Sequence, residues 1–124
     1  MKAVCVDDEE NSLRQTLSLC GEMPQLSEVV GFRDPCEALA WIEAHPTDLA
    51  LLDIRMPEMD GITLAHGIRT ISPDTAILFV TAHPQYAVDA WRIHASGYLL
   101  KPLTPERLSE ELDYAAEWRR ERAD

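Results

Sequence analysis

Three short segments limit what this chain can fold into. They are "AVCV" (Ala3–Val6), "LALL" (Leu49–Leu52) and "AILFV" (Ala76–Val80). Each is apolar without interruption and suited to a β-strand. A strand with one wet face alternates apolar and polar residues. A strand that does not alternate has both faces covered, as in a parallel sheet sandwiched between helices. The predicted strands built around these runs, with two weaker ones, are Lys2–Val6, Ser27–Phe32, Asp48–Ile54, Ala76–Thr81 and Gly97–Leu100.

Helical patterns fill the intervals. "SLRQTLSLC" sets Leu13, Leu17 and Cys20 on one side. "PCEALAWIEAH" follows Asp34, a good N-cap, and starts with Pro35 at a position where proline is tolerated. "GITLAHGIRTI" brings Ile62, Leu64, Ala65, Ile68 and Ile71 largely together. "PQYAVDAWRI" spaces Ala87, Ala90 and Trp91 helically, which predicts Trp91, like Trp41, packed on a helix face. The last helix opens with Thr104 and Pro105 and carries a Leu108, Leu112, Ala115 stripe. Trp118 is expected half exposed, and Glu117–Arg122 reads as a solvated helix with pairs four residues apart. The order is βα five times over. That order specifies an α/β fold, a doubly wound parallel sheet with right-handed crossovers, whose functional crevice lies at the carboxyl ends of the strands.

Composition narrows the function. The 124 residues suit one domain and one core, and no linker or repeat interrupts them. Against 11 Lys and Arg stand 22 Asp and Glu, a net charge of −11 at pH 7. Such a chain repels phosphate backbones and anionic bilayers, so this domain is expected to contact neither nucleic acid nor membrane. No apolar run approaches the roughly 18 residues of a membrane span. The N-terminus "MKAVCVDDEE" is unlike a signal peptide. Cys5, Cys20 and Cys36 lack metal spacing and read as buried or half-buried thiols of a reducing cytoplasm. The four histidines also lack metal spacing. They read as solvated or capping side chains, with His83 set at the rim of the crevice.

Chemistry-bearing residues gather at the predicted strand ends. Strand 1 runs into Asp7-Asp8, strand 3 ends beside Asp53, strand 4 ends in Thr81-Ala82 and strand 5 runs into Lys101-Pro102. Each has a plain reading by itself: a helix cap, a turn-former, a locally bonded hydroxyl, a solvated amine. Together they share one sheet edge. Three carboxylates converging there repel by a few kcal/mol at an effective dielectric of about 20, so the site needs a cation. An all-oxygen donor set selects a hard ion, Mg²⁺. A carboxylate beside Mg²⁺, a hydroxyl and an ammonium suits phosphoryl transfer onto the carboxylate.

The segments "VDDEE", "LLDIRMPEMDG", "FVTAH" and "YLLKPL" stand in the order and spacing of the receiver domains of two-component response regulators. The chain resembles that family over essentially its whole length. The resemblance implies a flavodoxin-like (βα)5 fold with a five-stranded parallel sheet in order 2-1-3-4-5. It implies Asp53 as phosphoacceptor from a sensor histidine kinase. Asp7 and Asp8 would hold Mg²⁺ with Asp53 and the backbone carbonyl of Arg55. Thr81 would be the switch hydroxyl, Lys101 the phosphoryl contact and Tyr98 the aromatic switch, turning inward from the surface, with a cis Lys101–Pro102 bond. "TAHPQYAVDAWRIHASGYLLKPL" is similar to receivers of the LytTR class, so the chain reads as one receiver domain, residues 1–124, either stand-alone or, the favoured reading, excised from a regulator with a C-terminal LytTR-type DNA-binding domain. Phosphorylation is expected to drive a homodimer through helix 4, strand 5 and helix 5, roughly Pro84–Ile93, Gly97–Leu100 and Pro105–Arg120. The reading is a cytoplasmic switch controlling transcription, not an enzyme. The alternative is a phosphate-independent pseudo-receiver, a binding module that need not take up the ion. An aspartyl phosphatase wants a second acid where Arg55 stands, and a flavin site wants a Gly- or Ser/Thr-rich loop where "DDEEN" stands.

Overall fold

The computed structural model describes residues 1–123. Strands β1 (Lys2–Val6), β2 (Glu28–Phe32), β3 (Leu49–Leu52), β4 (Ala76–Thr81) and β5 (Gly97–Leu100) alternate with helices α1 (Glu10–Gly21), α2 (Pro35–Ala44), α3 (Gly61–Ile71), α4 (Ala87–Arg92) and α5 (Pro105–Ala123). All strands pair in parallel, in the order β2-β1-β3-β4-β5. This is the expected doubly wound sheet. The pattern of burial gives the reason. Every residue of β3 and β4 is buried, so both faces of the central strands need helical cover.

The two faces separate by alternate residues. Val4, Val6, Ala50, Leu52, Ile77 and Phe79 meet α2, α3 and α4 through Ala38, Ile42, Leu64, Ala65, Ile68, Ala90 and Ile93. Ala3, Cys5, Leu49, Leu51, Leu78 and Val80 meet α1 and α5 through Leu13, Cys20, Leu108, Leu112 and Ala115. Asp34 caps α2 by accepting from the Cys36 amide at 2.8 Å, and the Arg107 amide donates to Thr104 Oγ1 at 3.3 Å. Both caps were legible as sequence.

Several expectations need correction. β3 stops at Leu52, so Asp53 stands one residue past it, although its amide still donates to the Val6 carbonyl at 2.9 Å. On α1 Leu17 does pack with Leu13 and Cys20, but it is only half-buried because it lies over Gly31 on the edge strand β2, and Thr16 is buried beside them. Ile71 is exposed at the end of α3, and Cys36 is exposed rather than buried. Pro84–Tyr86 form a 3₁₀ turn, and the α4 that follows is only six residues long. Its Trp91 is 80% exposed, against the expected packing. Trp41 does pack, between Phe32 and a stacked His45. The end of α5 is not simply solvated. Arg119 pairs with Asp48 at 3.0 Å, and Arg69 and Arg122 lie over the Trp118 ring at 5.1 and 4.6 Å. No helix among the described residues is long and apolar enough to cross a membrane.

Candidate functional site

The site follows from the register of the sheet. Val6 pairs with Leu52, and Leu52 with Phe79. The residues next in the chain, Asp7 and Asp53, therefore leave the sheet side by side. Their amides continue the ladder, Asp7 to the Phe32 carbonyl at 3.1 Å and Asp53 to Val6. On the far side Thr81 pairs with Leu100, and the Lys101 amide donates to the Thr81 carbonyl at 2.9 Å. Lys101 is thereby aimed back across two strands, and the bond that follows it, to Pro102, is cis.

Carboxylate oxygens of Asp7, Asp8 and Asp53 all lie within 4.8 Å of one another. One ammonium serves two of them: Lys101 Nζ donates to Asp7 Oδ2 at 2.8 Å and to Asp53 Oδ2 at 3.3 Å. Asp7 is buried, and its Oδ1 accepts from the Glu9 amide at 3.0 Å. Asp53 Oδ1 accepts from the Ile54 amide at 2.7 Å. Burial pushes the Asp53 carboxyl above its usual range. Lys101 opposes that and the Asp7 charge adds to it. Burial pulls the Lys101 ammonium down, but its hydrogen bond to Asp7 and the two carboxylate charges more than compensate, so it stays protonated. One ammonium does not neutralise three carboxylates. The oxygen-only donor set and this uncompensated charge fit a hard divalent cation held by Asp7, Asp8 and Asp53.

The cleft above this cluster is about 690 Å³, and its walls include Asp8, Arg33, Asp53, Arg55, Ala82, His83 and Lys101. His83 is thus at the rim, as expected. Arg55 lines the same cleft. The loop reaches it through a close approach: the Gly61 amide donates to the Ile54 carbonyl at 2.7 Å. A Cβ on Gly61 would collide with the Asp53 carbonyl.

Thr81 is fully buried at the end of β4, and its hydroxyl accepts from the His83 amide at 3.2 Å. Tyr98 is half-buried against Phe79, and its hydroxyl donates to the His83 carbonyl. The ring expected to turn inward from the surface is therefore already turned in here. Both proposed switch residues meet on the main chain of His83.

Comparison with known proteins agrees with this geometry. A family model of the response regulator receiver domain matches residues 3–113. The chain belongs to that family. The receiver is 41% identical over 108 residues to an uncharacterised response regulatory protein of Vibrio cholerae, covering 86% of this chain and 41% of that protein. It is 33% identical over 116 residues to the transcriptional regulatory protein LytR of Staphylococcus aureus, covering 91% and 46%. The chain thus spans under half the length of these curated relatives. The crystal structure of the response regulatory domain of MrkE from Klebsiella pneumoniae superposes with a TM-score of 0.86 at 30% identity, covering 97% of the receiver and 99% of that chain.

Sequence reasoning missed Arg33. Its Nε donates to the main-chain carbonyl of Asp8 at 3.1 Å. The signal was available, because Arg33 follows Phe32 at the carboxyl end of β2, the one strand end left out of the reading.

Proposed function

We propose that this receiver is a phosphorylation-controlled switch in which Asp53 takes a phosphoryl group from a sensor histidine kinase in the cytoplasm. One observation carries the reading: a strand-end carboxylate, Asp53, shares a half-open cleft with two more carboxylates and is touched by a lysine. Asp53 is the nucleophile. Asp7 and Asp8, with Asp53 and the Arg55 carbonyl, hold Mg²⁺. When bound, that ion neutralises phosphoryl oxygens as charge builds in the transition state. Lys101 holds Asp53 in place and contacts an oxygen of the phosphoryl group. The Thr81 hydroxyl exchanges its bond from the His83 amide for one to the attached group. The phosphoryl group stays on Asp53 as the signal, so the chain acts as a switch.

The output is proposed to be transcriptional, through a LytTR-type DNA-binding domain. The similarity to LytR supports this, and the coding sequence following Asp124 tests it. The switch is read out by a phosphorylation-dependent homodimer through α4, β5 and α5. Val88 and Trp91, exposed and three residues apart on α4, supply an apolar patch for that contact. Incubation with acetyl phosphate and Mg²⁺ is expected to add one phosphoryl mass, and Asp53→Asn to abolish it. Equal labelling of the Asn variant overturns the assignment. A Mg²⁺ titration followed by Trp and Tyr fluorescence separates this reading from a pseudo-receiver.

A further inference from the structure

The mouth of the cleft presents an electrostatic problem to any phosphodonor. Asp8, Glu9 and Glu10 line it, beside Asp53, on a chain whose net charge is −11. An acyl phosphate arrives as a dianion. The Lys101 ammonium is already shared between Asp7 and Asp53. Besides Lys101 and the proposed Mg²⁺ at the cluster itself, the cationic side chains in the walls are two arginines, Arg33 and Arg55. They differ in one respect. Arg33 is anchored by its Nε on the Asp8 carbonyl at 3.1 Å, and among the described residues its two Nη groups have no hydrogen-bond partner. It lines both the site cleft and a second cleft of about 500 Å³ that runs past Asp34, Pro57 and Glu58. The Arg33 side chain is exposed, and with its Nε on the Asp8 carbonyl its Nη pair is free for two-point binding of phosphate oxygens.

We propose that Arg33 is the donor-recognition residue of this receiver, binding the non-bridging phosphoryl oxygens of an anionic phosphodonor at the cleft mouth. The inference rests on the phosphoacceptor reading of Asp53. With acetyl phosphate, a carboxylate oxygen of Asp53 bonds to phosphorus, and the bond from phosphorus to the acetyl oxygen breaks. Acetate leaves with the electron pair, and no proton is needed. Arg33 holds the dianion against the repulsion of the acidic rim while this happens. The same guanidinium stands beside Asp8, so it disfavours a divalent cation there. Donor binding and Mg²⁺ binding therefore respond to Arg33 with opposite signs. A role limited to positioning Asp8 gives the same sign for both.

The experiment measures the second-order rate of Asp53 labelling by acetyl phosphate in wild type, Arg33→Gln, Arg33→Lys and Arg14→Gln. It runs across ionic strength, at saturating Mg²⁺, with phosphoramidate as a donor of lower charge. Mg²⁺ affinity and melting temperature are measured alongside. Arg33→Gln is expected to slow labelling by acetyl phosphate about tenfold, as for loss of a charge-assisted bond. It should slow phosphoramidate less, flatten the salt dependence, and leave Mg²⁺ affinity equal or tighter. Arg33→Lys restores the salt dependence but only part of the rate. Arg14, exposed on α1 and paired with Glu10, controls for net charge and is expected to label as wild type. Labelling of Arg33→Gln within twofold of wild type, or slowing together with weaker Mg²⁺ binding, overturns the proposal and leaves Asp53 as phosphoacceptor. A wild-type chain that takes no label overturns both.

Discussion

Asp53 shows how one residue balances stability against function. Its carboxyl is raised mainly by burial, and the neighbouring Asp7 adds to that. A raised folded-state value means the folded protein holds this proton to higher pH than the unfolded chain does. Stability from this group is therefore present at low pH and lost as pH rises through the window just above the ordinary value of 3.8. Asp53→Asn is expected to be more stable than wild type above that window, because the amide removes a half-buried charge that Lys101 only partly offsets. The two should converge below it, and unfolding curves at several pH values check this. Asp8 adds its charge to the same cluster without an ion pair of its own among the described residues. Asp8→Ala should weaken Mg²⁺ binding and slow labelling while leaving the metal-free fold equally or more stable. A lower melting temperature with unchanged Mg²⁺ affinity would assign the wrong ligand.

At the scale of elements, the loop from β3 to α3 depends on a missing side chain. Gly61 opens α3 with its amide on the Ile54 carbonyl, and Asp60 caps the helix by accepting from the Thr63 amide at 2.8 Å. An added methyl meets main chain, the Asp53 carbonyl and Ile54, which cannot move aside as a flexible side chain would. Gly61→Ala is expected to cost roughly 1–3 kcal/mol and to slow labelling by shifting Asp53. Urea unfolding and the acetyl phosphate reaction measure the two effects. α4 presents the reverse case. At six residues it is too short for a helix to be stable alone. It is held by Ala90 and Ile93 in the core and by a chain reversal at His94, whose φ is 57°.

At the scale of the molecule, α4 and β5 join the site to the proposed dimer face. The Thr81 hydroxyl and the Tyr98 hydroxyl meet the same residue, His83, from its amide and its carbonyl. On the proposed reading, a phosphoryl group on Asp53 draws the Thr81 hydroxyl toward it as a donor, and that movement takes the hydroxyl away from the His83 amide at the entrance to α4. Sedimentation at tens of micromolar is expected to show a monomer or weak dimer that becomes a firm dimer with beryllofluoride. Thr81→Ala should lose this response while still labelling. Trp91→Ala should weaken the dimer without changing labelling, because Trp91 lies outside the cleft. An unchanged mass on activation refutes the dimer and spares phosphoacceptance.

The sequence by itself determined the layers, the parallel sheet and the edge on which chemistry collects. Unbroken apolar runs such as "LALL" require cover on both faces, and Asp7, Asp53 and Lys101 fall immediately after strands, whatever the details of packing. It also located the caps at Asp34 and Thr104, because a cap is made within one turn. Tertiary structure alone decided the remainder. The exposure of Trp91 depends on where a short helix meets its neighbours, and helical spacing is the same for a covered and a bare face. The inward seat of Tyr98 depends on a carbonyl 15 residues away. The position of Arg33 at the carboxyl end of β2 was legible in the sequence, but its bond to the Asp8 carbonyl, 25 residues distant in the chain, formed only when β2 paired beside β1. Contacts of that range are set by strand order and register, which no local pattern encodes.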